Sequence, residues 1–306
     1  MTAPLGSLLL ALALQGTAAE SLHVVTAGEG PAVVLVPGLF GSAYGFRRVA
    51  PLLTAAGYRV IIVEPLGVGS SARPPAADYS LAAQTGRLAA VLDTLGPAPF
   101  LVVGHSLGGA IAFRLAVRRP DLVRGIVSVE GGPTEEATTP GFRRAMRFAP
   151  ILRLFGGSGM VRRKIRGMLV ESSGDPSWVT DEVVQGYTQE AVRHLGATLK
   201  AYQAMGRARE PERLAPRLGE IRCPVRLIVG AAPHDGDVGR EELELLRRTL
   251  GSFAVDTVPG VGHYVQEERP AAVLESVRRL ELADGRDPRG AARPGEGGWR
   301  AHRVSR

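Results

Sequence analysis

Ser106 stands in Gly104-His105-Ser106-Leu107-Gly108, between the apolar run Phe100 to Val103 and an apolar helical stretch that closes near Arg119-Pro120. A serine in this setting reads as a nucleophile on a sharp strand-to-helix turn. It is held in a strained conformation, raised above a sheet, and placed over a helix N-terminus whose free N–H groups favour developing negative charge. Glycine is expected at 104 and 108 because side chains there would meet neighbouring backbone. A serine hydroxyl is a poor nucleophile at neutral pH, so it needs a base, and the base needs an acid to fix its tautomer. The candidate base is His263, in the glycine-flanked segment Pro259-Gly260-Val261-Gly262-His263-Tyr264 between an apolar strand and a helix. Among the other histidines, His302 falls in the C-terminal tail, His194 in the Arg-rich middle, and His23 before the sheet core. His105 reads as a packing residue inside the turn, and His234 lies in the turn after Val225 to Val229.

These side chains need elements to carry them. Short apolar, β-branched runs at Leu22 to Thr26, Ala32 to Val36, Val60 to Val63, Phe100 to Val103, Ile126 to Val129, Val225 to Val229 and Phe253 to Val258 alternate with helical stretches at 45–56, 81–95, 107–118, 240–250 and 270–282. Runs that are apolar throughout suit strands covered on both faces, and the alternation predicts an α/β fold with a mostly parallel, doubly wound sheet. Residues 131–220 break the alternation. They read as a helical insertion, a cap over the strand C-termini, where such sheets bind ligands. The expected organisation is a core of 20–130 and 221–284, the cap 131–220, and a disordered Gly/Arg/Pro-rich tail at 285–306. Leu5 to Leu14, followed by small residues to Ala19, reads as a signal peptide or a flexible N-terminus. The first reading implies a periplasmic or secreted protein and the second a cytoplasmic one.

Composition narrows the chemistry. The chain has 306 residues and a formal net charge of +7. Eight basic and no acidic residues fall within 142–166, and six arginines against two acids within 285–306, so the remainder is net acidic. No aromatic-interleaved basic stripe or zinc-finger spacing is present, so nucleic acid is not an expected partner. The basic segment Phe142 to Phe148 reads as a solvated outer face over an apolar inner one, the alternative being attraction of an anionic or amphiphilic acyl substrate or of a membrane surface. The single cysteine, Cys223, excludes an intramolecular disulfide and a Cys-based metal site, and reads as a small buried apolar residue. No His, Asp or Glu cluster has metal-ligand spacing along the chain, and Gly67-x-Gly69 lacks both the P-loop lysine and a third Rossmann glycine. Neither a metal nor a cofactor is expected. The apolar N-terminal run is too short for a stable membrane span, and a monomer or homodimer is expected.

With these pieces assembled, the chain resembles the α/β-hydrolase superfamily, and in particular its capped, esterase-like members, over roughly residues 20–283. The similarity rests on Pro37-Gly38-Leu39-Phe40-Gly41-Ser42, on Glu64-Pro65-Leu66-Gly67-Val68-Gly69-Ser70-Ser71, on the Ser106 turn and on Gly262-His263. It implies an oxyanion hole from the backbone N–H of Leu107 and one from the loop after Ala32 to Val36, either Leu39 or Phe40. Family members usually carry His-Gly where this chain has Pro37-Gly38. The family's acid usually follows the strand Val225 to Val229 in the turn Gly230 to Val238. Pro233 occupies its common position, leaving Asp235, or Asp237 further on. Some members place the acid one strand earlier, where Glu130 stands at the tip of Ile126 to Val129. Glu130 and Asp235 are therefore both carried as the acid.

The expected activity is a serine hydrolase that cleaves an ester, lactone or related acyl bond of a small molecule through an acyl-enzyme. Acyl transfer, C–C bond hydrolysis and cofactor-free haloperoxidase-type chemistry use the same residues, and a slow-turnover receptor is the alternative that is not an enzyme. Dehalogenases and epoxide hydrolases of this superfamily need an aspartate where Ser106 stands.

Overall fold

The computed structural model describes residues 20–147 and 157–283. The expected signal peptide and all of the expected tail lie outside these residues. Seven strands form one sheet: β1 (Val24–Ala27), β2 (Ala32–Val36), β3 (Arg59–Val63), β4 (Phe100–His105), β5 (Val123–Val129), β6 (Val225–Gly230) and β7 (Phe253–Val258). Their spatial order is β1-β3-β2-β4-β5-β6-β7. β1 runs antiparallel to β3, and every other pairing is parallel. The central strands β2, β4 and β5 are buried nearly end to end, because helices cover both faces and leave no room for an alternating polar side. Val34, Val36, Val102 and Ile126 pack on one face, and Val33, Leu35, Leu101 and Val127 on the other. Cys223 is half-buried against the first of these layers.

The crossover helices fall where apolar periodicity predicts them: α1 (Ala50–Ala55), α2 (Leu81–Leu92) and α3 (Leu107–Arg118). α2 starts at Ser80, whose side chain accepts from the Ala83 amide. Between β5 and β6 the described residues contain α4 (Pro140–Met146), α5 (Ser158–Glu171), α6 (Asp181–Arg193) and α7 (Leu195–Arg207). α6 is the best signposted of these. Thr180 caps it, Asp181 and Glu182 sit in its first turn, and Arg193 is in its last, matching the helix dipole at both ends. α8 (Arg240–Thr249) follows β6, while α9 (Val265–Glu268) and α10 (Pro270–Ala283) follow β7.

The β5–β6 segment is fastened to the sheet at both of its ends. Arg114, buried on α3, donates to the Thr134 carbonyl at 2.9 Å, to Glu135 at 2.8 Å and to Glu210 at 3.4 Å. Glu210 in turn accepts the amides of Leu81 and Ala82 at the start of α2. Further along, Tyr187 on α6 and Tyr264 beyond β7 share a cluster with Leu169, Val183 and Val184. Gly186 lies so close to the Tyr44 ring that a β-carbon there would approach it to 2.2 Å. The helices between β5 and β6 are thereby held above the C-terminal ends of the strands.

Candidate functional site

Ser106 joins β4 to α3 with φ 52° and ψ −115°. Two constraints impose this backbone. A β-carbon on Gly104 would lie 2.3 Å from the Gly108 backbone, and one on Gly108 would lie 2.0 Å from the Val36 carbonyl oxygen, so the turn closes only with glycine at both places. The Ser106 amide donates to the Val129 carbonyl at 2.8 Å, and its carbonyl accepts from Gly109 at 2.9 Å. Both bonds leave the side chain free. The hydroxyl makes no hydrogen bond among the described residues, and the amides of Leu107, Leu39 and Phe40 have no acceptor there either. Gly38 brings the β2 loop against the turn, since a β-carbon on it would approach Ser106 Cβ to 3.1 Å.

That loop carries an aromatic wall. Phe40 packs edge-on against Phe142 of α4 and Tyr202 of α7, each at 5.4 Å between ring centres. The Tyr202 hydroxyl donates to the Leu39 carbonyl at 2.7 Å, which fixes the orientation of the peptide beside the open amides. Beneath the loop, buried Glu64 at the end of β3 accepts from the amides of Ala43 at 2.6 Å and Ser70 at 2.5 Å and from His23 Nδ1 at 3.1 Å. The Glu64 bond holds the His23 ring above its ordinary pKa, against the opposing effect of burial.

His263 follows β7, as its loop position predicts. Its amide donates to the Ser172 carbonyl at 2.8 Å, tying it to the end of α5. His105 donates from Nε2 to the His263 carbonyl at 3.1 Å, and the two rings lie 4.9 Å apart, so the residue next to Ser106 physically supports His263. His105 packs, as expected, and burial lowers its pKa to about 4. Burial also holds His263 well below the usual histidine value, with the neighbouring His105 and His234 adding to the effect. His263 is therefore neutral at pH 7. Its Nδ1 is buried without a hydrogen-bond partner.

The two acid candidates part company. Glu130 is 2% exposed at the tip of β5. Its Oε1 accepts the Gly230 amide, and its Oε2 accepts from His234 Nε2 at 3.0 Å. Glu130 (φ 50°) and Ser106 are the two non-glycine residues with positive φ among those described. A carboxylate oxygen of Glu130 and one ring nitrogen each of His234 and His263 lie within 4.8 Å of one another. Asp235 and Asp237, by contrast, are exposed, and neither bonds His263 among the described residues. The structure thus gathers Ser106, Leu39, Phe40 and Leu107 on one side and His263 with Glu130 on the other, and leaves Asp235 outside.

His234 is the residue that sequence reasoning passed over. It donates from Nδ1 to the Ala232 carbonyl at 2.8 Å and from Nε2 to Glu130. Both nitrogens face oxygen acceptors, which favours the protonated ring, and the Glu130 bond is the main cause of its raised pKa. The only hint in the sequence was a histidine in the turn where the acid had been sought.

Comparison with known proteins supports the same architecture. A family model described as alpha/beta hydrolase fold matches residues 31–169. The chain is 28% identical to mouse sn-1-specific diacylglycerol lipase ABHD11 over 269 residues, covering 81% of this chain and 80% of the relative. It is also 28% identical to epoxide hydrolase A of Mycobacterium tuberculosis, covering 85% of this chain and 95% of that one. A solved thermophilic esterase from Thermogutta terrifontis superposes with a TM-score of 0.71 at 22% identity, covering 90% of this chain and 99% of the esterase.

Proposed function

We propose that the chain, which has the alpha/beta hydrolase fold and is similar to hydrolases over most of its length, cleaves a carboxylic ester or closely related acyl bond with Ser106 as nucleophile, His263 as base and Glu130 as acid. The observation that carries this reading is the backbone strain. Such φ values cost of order 1–3 kcal/mol each, persist only where the surrounding structure holds them and cluster at functional sites, and here they coincide with the serine and the glutamate taken as nucleophile and acid.

In this reading His263 carries its proton on Nδ1 and presents Nε2 to the Ser106 hydroxyl. Serine Oγ attacks the acyl carbon as Nε2 takes its proton, and the negative carbonyl oxygen is received by the amides of Leu107 and of Leu39 or Phe40. Collapse expels the alcohol, which takes the proton from Nε2. Water, deprotonated by the same nitrogen, then releases the acid and restores Ser106. Each carboxylate oxygen accepts two hydrogen bonds, so Glu130 keeps lone pairs for His263 Nδ1–H beyond those used by Gly230 and His234. The Ser106–His263 and His263–Glu130 hydrogen bonds are not made in the unliganded chain and form as substrate binds, as catalytic contacts in unliganded enzymes often do.

Phe40, Phe142 and Tyr202 stand beside the open amides and suit a small apolar acyl group. Ser106 disfavours epoxide opening, which in this superfamily relies on an aspartate nucleophile. The test is steady-state hydrolysis of a short-chain nitrophenyl ester. Ser106→Ala should retain the parent's melting curve and lose at least about 10³-fold in kcat, whereas equal rates in parent and variant would remove the reading.

A further inference from the structure

Along the chain no metal-ligand spacing is visible, yet the fold brings Glu130, His234 and His263 together from three loops. We propose that these three side chains form a Zn²⁺ site whose occupation switches the hydrolase off; the inhibitory half rests on the assignment of His263 as base. Three features point to a metal. His234 is oriented as metal-binding histidines usually are, with Nδ1–H on the Ala232 carbonyl at 2.8 Å and Nε2 turned towards a carboxylate. His263 Nδ1 is a buried nitrogen without a partner. Gly236 lies on its side of the ring, where a β-carbon would come 3.8 Å from Nδ1, so the nitrogen faces the turn that carries His234.

The donor set is two imidazoles and a carboxylate, which suits Zn²⁺ and is poor for Mg²⁺ or Ca²⁺. Donors about 2.0–2.1 Å from a tetrahedral zinc lie roughly 3.4 Å apart. The Glu130–His234 pair is already at 3.0 Å. One carboxylate oxygen of Glu130 and one ring nitrogen each of His234 and His263 lie within 4.8 Å of one another, so modest side-chain movements complete the set. Zn²⁺ takes the place of the His234 Nε2 proton, which leaves to solvent, and accepts the lone pair of His263 Nδ1. A neutral imidazole that gives Nδ1 to a metal carries its proton on Nε2, so it cannot take the proton of Ser106. Glu130, bound to the same ion, is withdrawn as well.

Zinc chloride titrated into the Ser106→Ala variant by calorimetry, with millimolar Mg²⁺ present, reads binding without catalysis. One ion per chain is expected, with affinity falling at least tenfold on adding His234→Gln and likewise on adding Glu130→Gln; melting curves identify the variant that keeps the fold, and one folded variant suffices. Absence of binding, or affinity unchanged in a folded variant, would overturn the site. In the parent, ester turnover should fall with zinc at the same concentration range and return on adding EDTA. If Ser106→Ala binds zinc through His234 but the parent's turnover is indifferent to it, the inhibitory half fails. If the parent hydrolyses no ester yet zinc binds as described, it is the proposed ester activity that fails, while the metal site stands.

Discussion

Two buried glutamates end strands of the sheet that β2 and β4 separate, Glu64 after β3 and Glu130 after β5, and each is bonded to backbone amide and to a histidine. Glu64 satisfies two amides and His23, has an ordinary backbone, and stitches the loops after β2 and β3 together. Glu130 satisfies one amide and His234, sits on a strained backbone, and lies beside a histidine nitrogen with no partner. The pairing chemistry is the same. What separates the carboxylate proposed to be reactive from the structural one is a positive φ and a neighbouring buried histidine nitrogen that still lacks a partner.

The sharpest way to break this contrast is Glu130→Gln, expected to reduce ester kcat by about 10²- to 10⁴-fold, or roughly 3–5 kcal/mol of barrier, with little change in KM. A fall below tenfold in a folded variant would return Glu130 to the same class as Glu64. Next in size is a pH effect. Folded His105 has a pKa of about 4 against 6.5 unfolded, so the unfolded chain binds its proton first on acidification. The stability this supplies is complete above pH 6.5 and is lost as pH falls towards 4, by on the order of 3 kcal/mol. His105→Gln should therefore gain on the parent by about that much between pH 7 and 4 in urea titrations; a constant gap would contradict the buried, neutral ring.

A smaller effect is expected from Glu64→Gln, which weakens two amide bonds and the His23 contact. Denaturant unfolding should show a loss of about 2 kcal/mol, with kcat per folded molecule within tenfold of the parent. Smallest is Asp235→Asn, for which ester kinetics should change by less than about threefold, as for an exposed side chain away from the reacting groups. A collapse of turnover in that variant would exchange the two acids.

Much of the fold was legible because it is written locally. Short, mostly apolar runs marked every strand, with β1 shifted to Val24–Ala27 from the expected Leu22 to Thr26. The glycine-punctuated turn at Ser106 is specified by five consecutive residues. The choice between Glu130 and Asp235 is not local. It depends on Glu130 reaching Gly230 and His234, one hundred or more positions away, and on the turn after β6 putting Asp235 into solvent. Position in the chain made both acids reasonable; only the packing of three loops distinguishes them. The same holds for His234, whose role comes from a partner that no spacing rule connects to it.

The central claim is that His263 activates the hydroxyl of Ser106. Reaction with a fluorophosphonate probe, followed by mass-spectrometric mapping of the modified peptide, reports it directly. The account predicts one adduct, on Ser106, formed at least a hundredfold more slowly in His263→Ala. An adduct on another residue, or labelling at an equal rate in a folded His263→Ala variant, would contradict it.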